Sequence, residues 1–262
     1  MADLALDPER FARGPERADG PVIPVVVSLT FPGMDQGAHD LALELTVVAF
    51  DAVRVAGGRP RLVDSAGAET SAIAEICDAA AAVLFLGGGD VDVTCYGYDG
   101  PPPRGYYGVD KRADEFCIAL MHECVRRDLP TLAFCRGSQL LNVAFGGTLI
   151  PDIEHWGIHR GPGGDGLMID EAVTLEPGSR IAEVLGRTEA IVRNGHHQAV
   201  DRVGPELRAV AHAADGIVEG TEHRTASWVL GVQWHPEEKR ADVDDRRLIF
   251  EALVERARAR VR

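Results

Sequence analysis

Two kinds of hydrophobic pattern alternate along residues 21–150. Short, nearly continuous apolar runs at 22–29, 61–63, 82–86 and 131–134 predict strands buried on both faces of a sheet. Between them, apolar residues recur every three or four positions over 39–56, 73–80, 110–127 and 136–145, which predicts amphipathic helices. Alternating strands and helices of this kind predict an α/β fold with a doubly wound, mostly parallel sheet and helices on both faces.

The pattern changes after residue 150. Short apolar segments at 172–175, 190–192, 207–213, 217–221 and 227–232 predict further strands, and the periodicity of 242–260 predicts a terminal helix. Residues 1–20 mix charged residues with proline and glycine, so we expect a flexible leader there. Residues 21–262 are expected to form a single domain.

Composition and charge disfavour several classes of binding partner. The chain has 262 residues and a formal net charge of −14, and an acidic surface disfavours nucleic acid. Its longest apolar run, 79–86, is far shorter than the roughly 20 residues of a membrane helix. Five cysteines without a CxxC pair indicate reduced thiols rather than disulfides or a thiolate zinc site. We therefore expect a cytoplasmic protein with no nucleic-acid or membrane partner.

The strongest candidate for chemistry is Cys135. The predicted strand 131–134 ends at this cysteine and a predicted helix begins at the next residue, as in the sharp turn called a nucleophile elbow. Gly137 fits such a turn, because a side chain there would collide with a neighbouring strand. The helix N-terminus would favour the thiolate. The alternative is a small buried cysteine at a strand end, the usual place of free cysteines.

Two further segments could complete a site around this cysteine. The predicted strand 227–232 leads into His235 and Glu237, which can supply a base and the carboxylate that orients it. The run Gly87-Gly88-Gly89-Asp90 follows another strand, and its amides could form an oxyanion hole with the amide of Arg136. A phosphate-binding loop is the alternative for the glycines, but the Lys-Ser/Thr of a P-loop is missing.

Taken together, these segments resemble the class I glutamine amidotransferase-like hydrolases, and most closely the γ-glutamyl-γ-aminobutyrate hydrolase family of cysteine peptidases. The resemblance covers about residues 22–255. It rests on FLGGGDVD (85–92), YG (96–97), LAFCRGSQLLNVAFGGTLIPDI (132–153), HR (159–160), HHQAV (196–200), DGIVEG (215–220) and LGVQWHPE (230–237).

The resemblance implies a flavodoxin-like sheet and a catalytic triad of Cys135, His235 and Glu237. The cysteine would form a γ-glutamyl thioester, which water then hydrolyses. The resemblance further implies that Gln139 helps to hold the α-amino and carboxylate end of the substrate, and that Gly87 or Gly88 contributes to the oxyanion hole. No cofactor is implied. The expected partner is a small γ-glutamyl-amine substrate, and a homodimer is one option for the oligomeric state.

The chain departs from the family pattern at positions that bear on the substrate. The elbow has Ala133 where the family usually has glycine. The arginine common at the start of the helix after the glycine run, predicted here over 110–127, is replaced by Ala113. An unexpected Arg193 precedes His196, so we consider these two as substrate-binding candidates, with Arg193 gripping a carboxylate on the amine half. Solvent-facing or ordinary loop positions are the alternatives for both.

Metal binding is not expected from the sequence. His155 and His159 lie four residues apart, but Gly157 and Pro162 disfavour the helix that would bring them onto one face. Two other functions remain open beside the free-standing hydrolase. One is a glutaminase subunit that supplies ammonia to a partner synthetase, and the other is a catalytically silent binding or regulatory module.

Overall fold

The computed structural model describes residues 4–154 and 156–261. Its first half follows the predicted alternation of strands and helices. The strands are β1 (Val22–Val27), β2 (Arg59–Asp64), β3 (Val83–Phe85) and β4 (Thr131–Phe134). The helices are α1 (Gln36–Val55), α2 (Ile73–Ala79), α3 (Lys111–Arg126) and α4 (Arg136–Ala144). Each agrees with its predicted position to within three residues.

The second half consists mainly of strands. These are β5 (Leu149–Ile150), β6 (Ile169–Leu175), β7 (Glu189–Asn194), β8 (Ala199–Val200), β9 (Leu207–Ala213), β10 (Val218–His223) and β11 (Val229–Val232). Two helices complete it, α5 (Arg180–Leu185) and α6 (Val243–Val261). The sequence pattern missed β5, β8 and α5, because segments of two to six residues contain too few positions to establish a period.

Within the described residues, all strands belong to one sheet with the main order β2-β1-β3-β4-β11-β10-β9-β6-β7. The neighbours from β2 to β11 pair in parallel, in the order typical of flavodoxin-like folds. From β11 onwards the pairing is antiparallel. The predicted doubly wound fold is therefore confirmed, with an antiparallel extension added beside the last parallel strand.

Helices cover both faces of the parallel strands. On one face, α1 and α6 contribute Phe50, Val53 and Phe250 to a core that includes Phe134 of β4. On the other face, α2, α3 and α4 pack with Phe85 of β3. Burial on both faces explains why these strands are almost uniformly apolar. No helix of the described chain is both long and apolar enough to span a bilayer.

Residues 4–20 differ from the predicted flexible leader. Leu6 and Phe11 are buried in the core, and the ring of Phe11 packs edge-on against Phe50 with centroids 5.0 Å apart. The carbonyl of Phe11 also accepts a hydrogen bond from Arg54 at 2.7 Å. The packing of this segment could not be predicted from its composition, because its large apolar side chains are isolated among charged residues.

Candidate active site

The three segments singled out in the sequence converge at one edge of the sheet. Strands β3, β4 and β11 are adjacent and parallel, so their carboxyl ends lie side by side. The chain continues from these ends into Gly87, Cys135 and His235. Ligand sites of open α/β sheets lie at this edge, so the topology alone assembles the predicted residues.

Cys135 occupies a strained turn between β4 and α4. Its backbone angles are φ 49° and ψ −112°, outside the regions that side chains other than glycine usually adopt. Its amide donates to the carbonyl of Val232 at 2.9 Å, which fixes the turn against β11. A Cβ on Gly137 would lie 2.9 Å from Cβ of Phe85 and 3.0 Å from its carbonyl oxygen. The expected collision with a neighbouring strand is confirmed.

His235 lies between Cys135 and a buried carboxylate. Its Nδ1 is 2.8 Å from Oε1 of Glu237, and its imidazole is close enough to Cys135 to interact electrostatically with it. Both His235 and Glu237 are at least 97% buried. Burial acts to lower the pKa of His235, but the negative charges of Cys135 and Glu237 outweigh burial and raise that pKa well above its usual value. The arrangement therefore places a strongly basic imidazole beside Cys135.

The glycine run lies against these side chains. A Cβ on Gly87 would be 3.1 Å from Cε1 of His235 and 3.6 Å from Cβ of Cys135. A Cβ on Gly88 would be 3.3 Å from Cδ of Arg136. The absence of side chains here keeps the space beside the sulfur open, as an oxyanion hole requires.

Two polar side chains of α4 are directed into the protein. Arg136 donates to Oδ1 of Asp114 at 2.5 Å, which ties α4 to α3. The amide nitrogen of Gln139 donates to the carbonyl of Gln198 at 2.9 Å and to Oε1 of Gln233 at 3.1 Å. Gln139 is nearly fully buried, and these bonds connect the elbow helix to the loop after β7.

Arg193 is bound within the protein. Its guanidinium donates to Asp170 at 2.8 Å, to Glu238 at 3.2 Å and to the carbonyl of Met168 at 2.6 Å. Its own carbonyl accepts from the amide of His235 at 2.9 Å. These bonds show that the guanidinium of Arg193 does not face solvent. They favour a role in holding the segment of His235 in place, rather than a role in binding a substrate carboxylate.

The predicted His196 is turned away from the glycine run, whereas the next residue contacts it. Nε2 of His197 is 2.9 Å from Oδ1 of Asp90, and Nδ1 is 3.1 Å from Oδ1 of Asp152. Burial acts to lower the pKa of His197, but the bonds to these two carboxylates raise it. The ring of Tyr107 stacks on His197 at 6.0 Å. Sequence analysis considered only the amides of the run that ends at Asp90, and it assigned no role to Tyr107, because the loop around Tyr107 has no periodicity.

His196 belongs to a second group of side chains, which we name the His–Glu cluster: His159, Glu171, His196 and Glu219. All four are buried, and each directs one nitrogen or oxygen to the same point. Their donor types are those of a metal centre. His155, the other member of the pair considered in the sequence, lies outside the described residues.

Comparisons with known proteins agree with this fold. A model of the peptidase C26 family matches residues 21–237. A Mycobacterium tuberculosis protein named as a candidate glutamine amidotransferase, Rv2859c, is 37% identical over 211 residues, covering 79% of this chain. That alignment spans 66% of the relative, just under two thirds of its length. A gamma-glutamyl-gamma-aminobutyrate hydrolase of Escherichia coli O157:H7 is 30% identical over 213 residues, covering 78% of this chain and 82% of that protein.

One solved structure extends the likeness to nearly the whole chain. It belongs to a candidate GMP synthase protein from Thermoplasma acidophilum. The superposition has a TM-score of 0.64 and covers 93% of this chain and 96% of the other, at 16% sequence identity. At this identity the likeness concerns the fold alone.

Proposed function

Because the chain belongs to the peptidase C26 family of glutamine amidotransferase-like proteins, we propose that it hydrolyses the γ-glutamyl amide bond of small γ-glutamyl-amine conjugates. The observation that supports this best is the geometry around Cys135. A cysteine held at positive φ at a strand end faces the same glycine as a buried imidazole, which is itself 2.8 Å from a buried carboxylate. Nucleophile, base and orienting group have these relations in cysteine hydrolases.

In the proposed reaction, Sγ of Cys135 attacks the γ-carbonyl carbon of the substrate. The C–N bond then breaks, His235 gives its proton to the departing nitrogen, and the free amine leaves behind a γ-glutamyl thioester. His235 next takes a proton from water, which attacks the thioester carbonyl. The C–S bond breaks, glutamate is released and the cysteine and imidazole return to their starting state. Glu237 keeps the imidazole in position throughout.

The negative charge on the carbonyl oxygen needs hydrogen-bond donors during both attacks. We assign this role to the amides of Gly87 and Arg136, with Gly88 as the alternative glycine. Gly87 is the glycine nearest to both Cys135 and His235. Removing a single donor of this kind from other hydrolases reduces kcat by about 100–1,000-fold.

A glutaminase that supplies ammonia to a partner is the second candidate. It is favoured by the name of the mycobacterial relative, which describes a glutamine amidotransferase. The hydrolase is favoured by the E. coli relative, whose alignment covers a larger share of that protein. Both candidates use the same thioester chemistry, so they differ in substrate and partner only.

The test is a screen of the purified protein against γ-glutamyl-γ-aminobutyrate, other γ-glutamyl amines and glutamine. We expect the amine conjugates to be cleaved without a partner protein, and Cys135→Ala to abolish turnover while the fold is retained. Cys95→Ala is the matched control and should keep full activity, because burial raises the pKa of the Cys95 thiol to about 12. Mass spectrometry should detect the γ-glutamyl thioester only in proteins that retain Cys135.

Three results would contradict the proposal in different ways. Undiminished hydrolysis by Cys135→Ala would rule out the cysteine mechanism. Cleavage of glutamine alone, and only with an added partner, would support the amidotransferase candidate. If no conjugate were cleaved and no thioester could be trapped, a catalytically silent module would be the remaining function.

A further inference from the structure

The His–Glu cluster brings together buried polar atoms that lack the hydrogen bonds such atoms normally have. The atoms concerned are Nδ1 of His159, Oε1 of Glu171, Nε2 of His196 and Oε1 of Glu219. None has a hydrogen-bond partner among the residues that the structure describes. A buried polar atom left in this state destabilises the fold, so four at one point call for a ligand that satisfies them all.

Two nitrogen–oxygen pairs in the cluster have separations close to those of ligands on one shared cation. All four lie within 4.8 Å of one another. Nδ1 of His159 is 2.9 Å from Oε1 of Glu171, and Nε2 of His196 is 3.2 Å from Oε1 of Glu219, yet neither pair is aligned for a hydrogen bond. Ligands at 2.0–2.1 Å from a tetrahedral zinc ion are about 3.3 Å apart. We propose that the His–Glu cluster binds one divalent transition-metal ion, with Zn²⁺ as the best match.

The opposite nitrogens of both histidines are held as in known metal centres. Nε2 of His159 is 3.0 Å from Oδ2 of Asp215, and Nδ1 of His196 is 2.8 Å from the carbonyl of Gln198. A proton on each of these nitrogens leaves a lone pair on the other nitrogen, directed into the cluster. A carboxylate or backbone carbonyl behind a ligating histidine orients the ring and raises its basicity as a metal ligand.

The two carboxylates are oriented by a shared amide. The side-chain nitrogen of Asn194 donates to Oε2 of Glu171 at 2.6 Å and to Oε2 of Glu219 at 2.8 Å. These bonds turn Oε1 of each glutamate towards the histidines. The register of β10 against β9 also shifts on both sides of Gly220, next to Glu219. Such a bulge redirects a side chain that a regular strand would point elsewhere.

The donor set selects the class of metal. Two imidazoles and two carboxylates suit zinc and neighbouring transition metals, whereas Mg²⁺ and Ca²⁺ prefer oxygen ligands alone. The carboxylates supply two negative charges, which a divalent ion neutralises. Because all four residues are buried, a metal held by them would be of the closed, structural kind.

The position of the cluster gives this ion a structural task beside the active site. His159 and His196 lie in loops, Glu171 lies on β6 and Glu219 on β10. The carbonyl of Glu219 accepts from Gln233 at 2.8 Å, and the carbonyl of Gln198 accepts from Gln139 of the elbow helix. The metal would therefore connect the loops after β5 and β7 to β6 and to β10, the neighbour of β11. The proposal replaces the expectation of no metal, which considered only the pair of His155 and His159.

The test measures metal directly and does not depend on enzymatic turnover. Protein produced in zinc-supplemented medium and dialysed should contain about one Zn²⁺ per chain by elemental analysis. Removal of the ion with a strong chelator should lower Tm, and Zn²⁺ alone should restore it. Glu219→Gln should reduce the zinc content to about a tenth or less. Glu222→Gln is the matched control, because this buried glutamate of the same strand pairs with Arg180 and Arg208 and lies outside the cluster.

A milder variant keeps the test decisive if Glu219→Gln fails to fold. Asp215→Asn leaves all four ligands in place and changes only the group behind His159, so zinc should bind roughly 10–100-fold more weakly. Wild-type protein without stoichiometric metal, and with a Tm insensitive to added Zn²⁺, would overturn the proposal. So would equal zinc binding by wild type, Glu219→Gln and Glu222→Gln, since the ion would then lie elsewhere. Elemental analysis that found stoichiometric Mg²⁺ or Ca²⁺ instead would contradict the choice of metal.

Discussion

At the residue scale, the environment of Cys135 distinguishes it from the other cysteines. Cys77, Cys117 and Cys124 are buried, and burial raises the pKa of Cys117 to about 11. Cys95 is partly exposed, but burial and nearby carboxylates raise its pKa to about 12. Among the residues described, Cys135 alone combines partial exposure with a strong electrostatic interaction with a histidine. Selective alkylation of Cys135 by iodoacetamide is the direct consequence.

The roles of base and orienting group predict unequal losses. We expect His235→Ala to lower kcat almost as far as Cys135→Ala does, because proton transfer in both half-reactions depends on the imidazole. Glu237→Gln should retain more activity, since it changes the orientation and charge of the imidazole but leaves the base in place. Steady-state kinetics of the two variants checks the order. A larger loss in Glu237→Gln would show that the roles are wrongly assigned.

The pKa of His235 offers a second test of the same contacts. Burial lowers it, while Cys135 and Glu237 raise it by a greater amount, so the imidazole should remain protonated above its ordinary range and lose its proton only at more alkaline pH. Cys135→Ala removes one of the negative charges and should shift the titration to lower pH. NMR of the imidazole nitrogens across a pH series measures both values. A titration unaffected by Cys135→Ala would mean that the two side chains do not interact.

At this scale, the sequence predicts the candidate functional residues that lie in short motifs. Cys135, His235 and Glu237 each follow a recognisable strand, so their convergence could be predicted before the structure. The partners of Arg193 could not be predicted in this way. Asp170 precedes Arg193 and Glu238 follows it, and both are too distant in the chain for a local pattern to indicate the contact. The His–Glu cluster could not be predicted for the same reason, since its members come from separate segments of the chain.

At the element scale, the turn from β4 to α4 depends on close packing against β3. Gly137→Ala should destabilise the protein by about 1–3 kcal/mol, because the new methyl group overlaps Phe85. The same displacement should move Cys135 and lower kcat. Gly157→Ala is the control, since a Cβ there meets no atom within 4 Å. Chemical denaturation of both variants tests this, and equal stability would show that the turn can relax.

Most elements were predictable because their apolar positions are periodic. The elements that the sequence pattern missed are short, and each was also missed for a physical reason. Strands β5 and β8 pair with each other and join the sheet only through β10, so long-range pairing defines them rather than local sequence. Helix α5 has a serine cap, Ser179, and ends at Gly186 in the left-handed region, but six residues give only a partial apolar face.

At the scale of the whole molecule, residues 4–20 behave as part of the domain. Phe11→Ala should lower the free energy of unfolding by about 3–5 kcal/mol, because the ring is 1% exposed and packs on Phe50. Leu4→Ala should have little effect, since Leu4 is 37% exposed. Urea denaturation of the two variants gives the comparison. A negligible loss of stability in Phe11→Ala would support the flexible leader that was expected from composition.

The position of β11 bears on how the chain is made. This strand lies between β4 and β10 in the middle of the sheet, yet it is the last strand in the sequence. During translation, β4 therefore has an unpaired edge until about a hundred further residues have left the ribosome. The two halves of the sheet cannot be joined until β11 is made, and the nascent chain has its nucleophile long before its base. The hydrolytic chemistry proposed for this protein can begin only after the segment with His235 and Glu237 has been made.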